Sequence, residues 1–476
     1  MKISDFRRHA HEMVDWMADH LESIEDLPVR SQVQPGETLA QLPDAPPERG
    51  ESMDAIAEDF RRIVLPGMTH WQHPRFFAYF PANSSPPSVL AEMATAALGA
   101  QCMLWQTSPA ATELEQRMME WLRDLLALPG DFQGSIQDSA STATLVALLT
   151  ARERATGWAG NEEGLPAQGR LTVYASEEAH SSIEKGVKIA GFGASNLRQI
   201  PTDDGFALDP AALAEAIRAD RAAGAVPAAV VACLGTTGVG ACDPLAEIAR
   251  VCRGEDVFLH VDAAWAGSAL VLPEQRHWAA GLEDADSFVF NAHKWLFTNF
   301  DCTAYYVRDP EALQRTLTIL PAYLASRETG AVPEYRDWSI PLGRRFRALK
   351  LWFVLRSYGA EGLRGALREH IALAEEMAGW IEAEDDFELV TGPNLSLLTF
   401  RYMPTSLRSE PGAPGPEIDE LNERLLHELN DDGRIYLTQT KVRGRTVLRV
   451  SIGQTRTERR HVEEAWGVIR EMARGL

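Results

Sequence analysis

A lysine follows a histidine in the stretch NAHKWLFTNFDC, residues 291–302, between the apolar runs SFVF and WLF. Burying a lysine is costly. It persists when its charge is paired, or when its amine is held unprotonated as a nucleophile. A solvated charge at a strand end would account for Lys294 by itself. Asp262 closes the buried-looking run VFLHVDAAWAGSA, with Ala263, Ala264 and Gly267 leaving room beside it for a flat ligand. A carboxylate there suits a metal, a hydroxyl or a protonated ring nitrogen, and equally a helix cap or an ion pair. His180 stands between the strand-like LTVYAS and a helical pattern, where a lone histidine often caps or faces solvent. Ser139, Ala140 and Ser141 open the helical segment SASTATLVALLTAR. Free N–H groups and the helix dipole at such a start hold phosphate, although a plain serine cap looks the same. The Gly-rich GFGASN at 191–196 lacks a third glycine and a preceding strand, so it is a poor dinucleotide loop.

Taken together, a lysine, a carboxylate, an imidazole and an anion cradle all fall at predicted strand ends of one sheet. Pyridoxal phosphate asks for that set: an amine for an imine, an acid on its ring nitrogen, a flat group on its ring and a cradle for its phosphate. The chain has no HExxH, no paired cysteine ligands and no GxSxG, so metal and serine-hydrolase chemistry have no support.

The elements that must position these groups follow from the pattern. From about residue 86, short apolar runs alternate with helical segments such as DPAALAEAIRADRAAG and DPLAEIARVCRG. LTVYAS, AAVVACL, VFLHVDAA, SFVF and TAYYV are strand-like and nearly all apolar. That alternation predicts an α/β fold with a mostly parallel sheet covered on both faces. Helices are predicted at about 340–384, in EIDELNERLLHEL and in TERRHVEEAWGVIREMA. SLLTFRYM, RIYLTQT and RTVLRVSI read as strands of a smaller α+β unit. The first eighty or so residues are helical, with Phe6, Met13, Met17 and Ile24 at helical spacing and a Pro-rich connector after them. They cannot close a core alone, so they are expected to pack on another part of the chain or on a second subunit.

The net charge of −22 over 476 residues argues against a nucleic-acid or anionic-membrane partner. Five cysteines without metal spacing predict reduced thiols in a cytoplasmic protein. No run of about 18 apolar residues occurs, so no membrane span is expected.

Almost the whole chain resembles the pyridoxal-phosphate-dependent aromatic L-amino acid decarboxylases, the group II decarboxylases. The resemblance lies in HPRFFAYFP, SPAATELE, AHSSIEK, LGTTG, HVDAAWAGSA, NAHKW, NFDC and DWSIPLGRRFRALKLWF. It implies a fold-type I homodimer with a seven-stranded, mostly parallel sheet in its large domain. The expected division is a helical segment, 1–85, wrapped over the partner; a cofactor-binding α/β domain, 86–360; and a small α+β domain, 361–476. The resemblance makes Lys294 the Schiff-base lysine and pairs Asp262 with the ring nitrogen. It puts His180 and Ala264 on opposite ring faces and Thr237 near the ring. Ser139, Ala140, Ser141, Asn291 and His293 match phosphate positions. Tyr323 matches the tyrosine of a loop that reaches the partner's active site and donates a proton. Trp71, Tyr79, Phe80 and Pro81, with Met103 from the partner, line the expected substrate pocket.

The implied activity is decarboxylation of tryptophan, phenylalanine, tyrosine or dihydroxyphenylalanine to the arylalkylamine and carbon dioxide. The alternative is an aldehyde synthase, which adds oxidative deamination. Plant enzymes of that type carry phenylalanine in place of the loop tyrosine, so Tyr323 favours simple decarboxylation. Ala82 and Met103 depart from animal members, where polar and aromatic residues are common. Both departures bear on the substrate, not on the cofactor.

Overall fold

The computed structural model describes residues 1–319, 330–407 and 416–476. The chain divides into two compact units, one of residues 82–372 and 391–397, the other of residues 1–81, 373–390 and 398–476.

The larger unit holds a seven-stranded sheet. Its strands are β1 (Gln133–Gln137), β2 (Leu171–Ser176), β3 (Leu197–Ile200), β4 (Val226–Cys233), β5 (Phe258–Asp262), β6 (Ser287–Asn291) and β7 (Thr303–Val307). The order is β1-β7-β6-β5-β4-β2-β3. β2 to β6 pair in parallel, while β7 runs antiparallel to both β6 and β1. Strands covered on both faces lose the in–out alternation of side chains, and β2, β5, β6 and β7 are buried at every position. On one face, Ala143, Val146, Ala147 and Ala151 of the helix Ala140–Ala155 pack with Val173, Val231 and Val289 of the sheet.

Register sets the site. Cys233 pairs with Asp262 and Asp262 with Val289, so β4, β5 and β6 end near one another. Thr303 pairs with both Gln137 and Asn291, which brings the end of β1 to that same edge of the sheet. Ligands of open α/β sheets bind at this carboxyl edge.

β1 is an edge strand with only β7 beside it. Its free side is met by a buried ion pair. Glu115 accepts the Ile136 N–H at 2.8 Å, and Arg344 donates to the Ile136 carbonyl at 2.7 Å. Arg344 also holds Glu115 bidentately, at 2.7 and 3.0 Å. The pair thus satisfies backbone groups that a further strand would otherwise take.

The smaller unit carries a four-stranded sheet, β8 (Phe387–Asn394), β9 (Leu397–Tyr402), β10 (Thr438–Val442) and β11 (Arg445–Ser451), in the order β10-β11-β9-β8. Leu398, Phe400, Leu448 and Val450 pack against the helices Pro416–Asp432 and Arg459–Gly475. The first helix, Ile3–Glu22, stops before Ile24, which is buried in the turn that follows. Phe6 and Met13, on the predicted apolar face, are exposed, as are Ile3 and Val14. Among the described residues no helix is long and apolar enough to cross a membrane.

Candidate active site

Asp262 is the last residue of β5 and is buried. Its Oδ1 accepts the Ala264 N–H at 3.0 Å. Burial pushes the carboxyl above its ordinary range, against the pull of Lys294, the Ala264 N–H and His180. A buried acid in this state gains most from a cationic N–H donor.

Lys294 lies in the four-residue helical turn Ala292–Trp295, directly after β6. That turn is tied on several sides. The Asn83 side-chain amide donates to the Lys294 carbonyl at 2.5 Å, and the Asn83 backbone N–H donates to the His293 carbonyl at 2.9 Å. The Ser85 hydroxyl donates to the Phe297 carbonyl at 2.7 Å. Trp295 stacks on Trp265 with ring centroids 5.1 Å apart, and its indole N–H reaches His370 Nδ1 at 3.0 Å. The lysine is half-buried, and these bonds clamp the backbone around it.

His180 caps the helix Ser181–Ile189 after β2. Burial and Lys294 lower its pKa, against the pull of Asp262. Thr237 lies in the turn after β4 and is half-buried. Asn291 ends β6, accepts the Thr303 hydroxyl at 2.8 Å and donates its backbone N–H to the Ala264 carbonyl at 2.9 Å. His293 Nδ1 accepts the Cys302 N–H at 3.0 Å, and burial holds its pKa down to about 3, so the ring is neutral.

Ser139 caps the helix Ala140–Ala155, its hydroxyl accepting the Thr142 N–H at 3.1 Å. The first backbone carbonyl–amide bond of this helix is the Ala143 N–H to Ser139. The N–H groups of Ala140 and Ser141 find no acceptor among the described residues, which is what an anion at a helix N-terminus requires.

These residues fit pyridoxal phosphate. Two open N–H groups and the polar groups at the ends of β1 and β6 suit its phosphate. The buried carboxylate suits a protonated ring nitrogen, and the clamped lysine suits its aldehyde. Gly267 has a different part from the one expected of it. A Cβ there would stand 2.5 Å from the Phe290 Cβ, so the glycine admits β6, not a ligand. Ala263 is fully buried, and of the three only Ala264 is half-buried.

Trp71, Tyr79, Phe80 and Pro81 belong to the smaller unit. Trp71 stacks on Tyr79 with centroids 5.7 Å apart, and the Arg449 guanidinium lies 4.5 Å from the Phe80 ring centroid. Met103 is half-buried in the larger unit, where its carbonyl accepts the Arg336 N–H at 3.2 Å. Tyr323 lies outside the described residues.

Asn83, Ser85 and Ser182 were not foreseen. Asn83 and Ser85 act on backbone carbonyls 211 and 212 positions away, a pairing that no local pattern reveals. The one available signal was the polar run NSS between Pro81 and Pro86.

The sheet, its catalytic edge and this set of groups define a pyridoxal-phosphate enzyme. The profile of the pyridoxal-dependent decarboxylase conserved domain matches residues 35–403, and the chain belongs to that family of carboxy-lyases. It is similar to phenylacetaldehyde synthase of Arabidopsis thaliana, 43% identical over 99% of this chain and 96% of that one. It is also similar to aromatic-L-amino-acid decarboxylase of Sus scrofa, 43% identical over 100% of this chain and 98% of that one. Among solved structures, Oryza sativa TDC with PLP and tryptamine superposes with a TM-score of 0.96 and 38% identity, over 100% of this chain and 99% of that one.

Proposed function

We propose that the protein is a homodimeric, cytoplasmic decarboxylase of aromatic L-amino acids, releasing carbon dioxide and the arylalkylamine. The observation that carries this reading is the buried Asp262 carboxylate in electrostatic contact with Lys294 and His180 at the strand ends. Relatives that act on aromatic amino acids support the substrate class. Five free cysteines, four of them buried, support a reducing compartment. The exposed apolar side chains of the first helix support a second copy as their cover.

Pyridoxal phosphate, when bound, supplies an aldehyde for amines and a ring that takes up the electron pair left by departing carbon dioxide. Lys294 would hold it through its side-chain amine. Asp262 keeps a proton on the ring nitrogen. His180 and Ala264 bound the ring faces, with Thr237 beside them. Ser139, Ala140, Ser141, Asn291 and His293 receive the phosphate. Trp71, Tyr79, Phe80, Pro81 and a second copy's Met103 are the proposed substrate contacts. They would orient the substrate carboxylate, and that orientation would select which bond breaks. Tyr323 then returns a proton to the substrate carbon.

The second reading, decarboxylation with oxidative deamination to an aldehyde, is favoured by the similarity to phenylacetaldehyde synthase. Tyr323 argues against it. Both are tested by incubating the holoenzyme with tryptophan, phenylalanine, tyrosine, dihydroxyphenylalanine, glutamate and histidine. Amine, aldehyde, carbon dioxide and peroxide are measured together. Aromatic substrates should give amine and carbon dioxide in equal amounts, and Lys294→Ala should give none. Turnover by Lys294→Ala near the wild-type rate would remove the cofactor assignment.

A further inference from the structure

His180 caps its helix through an imidazole nitrogen. The backbone N–H of Ser182 reaches Nδ1 at 3.2 Å, and the Ser182 hydroxyl lies 2.7 Å from the same atom. A backbone N–H only donates, so Nδ1 is the lone-pair nitrogen and the ring proton sits on Nε2. The hydroxyl faces that lone pair too and therefore donates. A second ring proton could go only to Nδ1. There it would meet an N–H donor and the positive end of the helix Ser181–Ile189, and both oppose a cation.

The surrounding groups weigh in the same direction, with one exception. From the turn after β6, Lys294 repels a charge on His180, and burial opposes it further. From the end of β5, Asp262 attracts one. From β4, the Cys233 thiol meets the His180 backbone and is itself pushed well above its ordinary range by burial. In its own segment, Glu178 is pushed up by burial and by Glu177. The balance leaves His180 below its ordinary range.

One buried carboxylate thus stands before two groups that compete for it, the imidazole and the cofactor's ring nitrogen. We propose that Ser182 is a positioning residue that locks His180 as the neutral Nε2–H tautomer and so reserves Asp262 for the ring nitrogen of pyridoxal phosphate. A charged His180 would draw on the field of Asp262 and weaken its hold on the ring proton. A helix N-terminus that keeps an imidazole neutral beside a reacting centre is known chemistry. The inference rests on the reading of Asp262, Lys294 and His180 as the cofactor site, and it adds the device that decides their protonation.

The test begins with the full chain free of cofactor and labelled with isotopic histidine. The His180→Gln variant identifies the His180 signals among twelve histidines. Ring nitrogen shifts in the wild type should show a protonated Nε2 and a bare Nδ1, with titration below about 6.5. Ser182→Ala removes the shorter of the two donors. Its His180 should titrate about half to one pH unit higher, the effect of one ordinary hydrogen bond. Ser182→Thr keeps a hydroxyl and should restore the wild-type titration.

In the holoenzyme, kcat of Ser182→Ala should fall severalfold on acidification as His180 gains its proton, with an acid limb about half to one pH unit above that of wild type. Wild type and Ser182→Thr should share the lower-lying limb. An Nδ1–H tautomer in the wild type would overturn the proposal, whether or not Ser182→Ala folds. So would a Ser182→Ala protein whose titration and acid limb match wild type. The nitrogen shifts are read without cofactor, so they stand or fall separately from the Lys294→Ala result.

Discussion

Under the proposed mechanism, the Tyr323 hydroxyl decides the fate of the substrate carbon once carbon dioxide has left. If Tyr323 supplies the proton, Tyr323→Phe should still bind cofactor and substrate and still release carbon dioxide. The unprotonated carbon would then persist long enough to meet oxygen. Aldehyde, ammonia and peroxide should replace much of the amine, quantified as the ratio of amine to aldehyde for the two proteins. Amine formed as fast and as cleanly as in wild type would show that the proton comes from elsewhere. At this scale the sequence was most informative where a residue's own chemistry is unusual for its place. A lysine between apolar runs and an acid ending an apolar strand announce themselves, and both stand at the predicted edge of the sheet. Ser182 and Asn83 do not. A serine after a histidine, or an asparagine between prolines, is ordinary in any turn. Their importance lies in a lone pair and in two carbonyls that only the fold brings to them.

Strands differ from residues in what betrays them. β2, β4, β5, β6 and β7 were readable because two covered faces demand continuous apolar side chains. β1, QGSIQ, and β3, LRQI, escaped because each is an edge with a single neighbour and mixed polarity. β8 escaped for a related reason, since it lies at a sheet edge and carries Gly392 and Pro393. The antiparallel course of β7 was invisible, because composition does not record direction. β1 matters most, since it leads into Ser139 and the open N–H groups. Arg344 and Glu115, both buried, hold its outer side. Arg344→Met leaves a buried carboxylate without its partner and should cost about 3–5 kcal/mol. The cost is read as a lowered unfolding midpoint of the cofactor-free protein. Arg344→Met combined with Glu115→Leu should recover much of the loss. An unchanged midpoint in the single variant would mean that the pair does not support the edge.

For the molecule as a whole, the N-terminal segment is the part on which the dimer proposal bears most directly. Its helix Ile3–Glu22 exposes Ile3, Phe6, Met13 and Val14. Under the dimer proposal, a chain lacking residues 1–70 should lose the dimer, expose the surface that segment covers, and aggregate. Light scattering after size-exclusion chromatography measures this, and a soluble, active monomer would contradict it. The sheet order has a further consequence, for timing. β1 pairs only with β7, and Gln133 must wait for Val307, about 170 residues downstream. On a ribosome adding roughly 5–20 residues each second, that wait is about 10–35 s. Throughout it, the strand that leads into the proposed phosphate cradle has neither its one ladder partner nor the cover of Arg344. If Ser139, Ala140 and Ser141 form the phosphate cradle as proposed, the strand leading into them gains its partner only when nearly two thirds of the chain has been made, and the cradle, written early in the chain, would be among the last parts of the site to close.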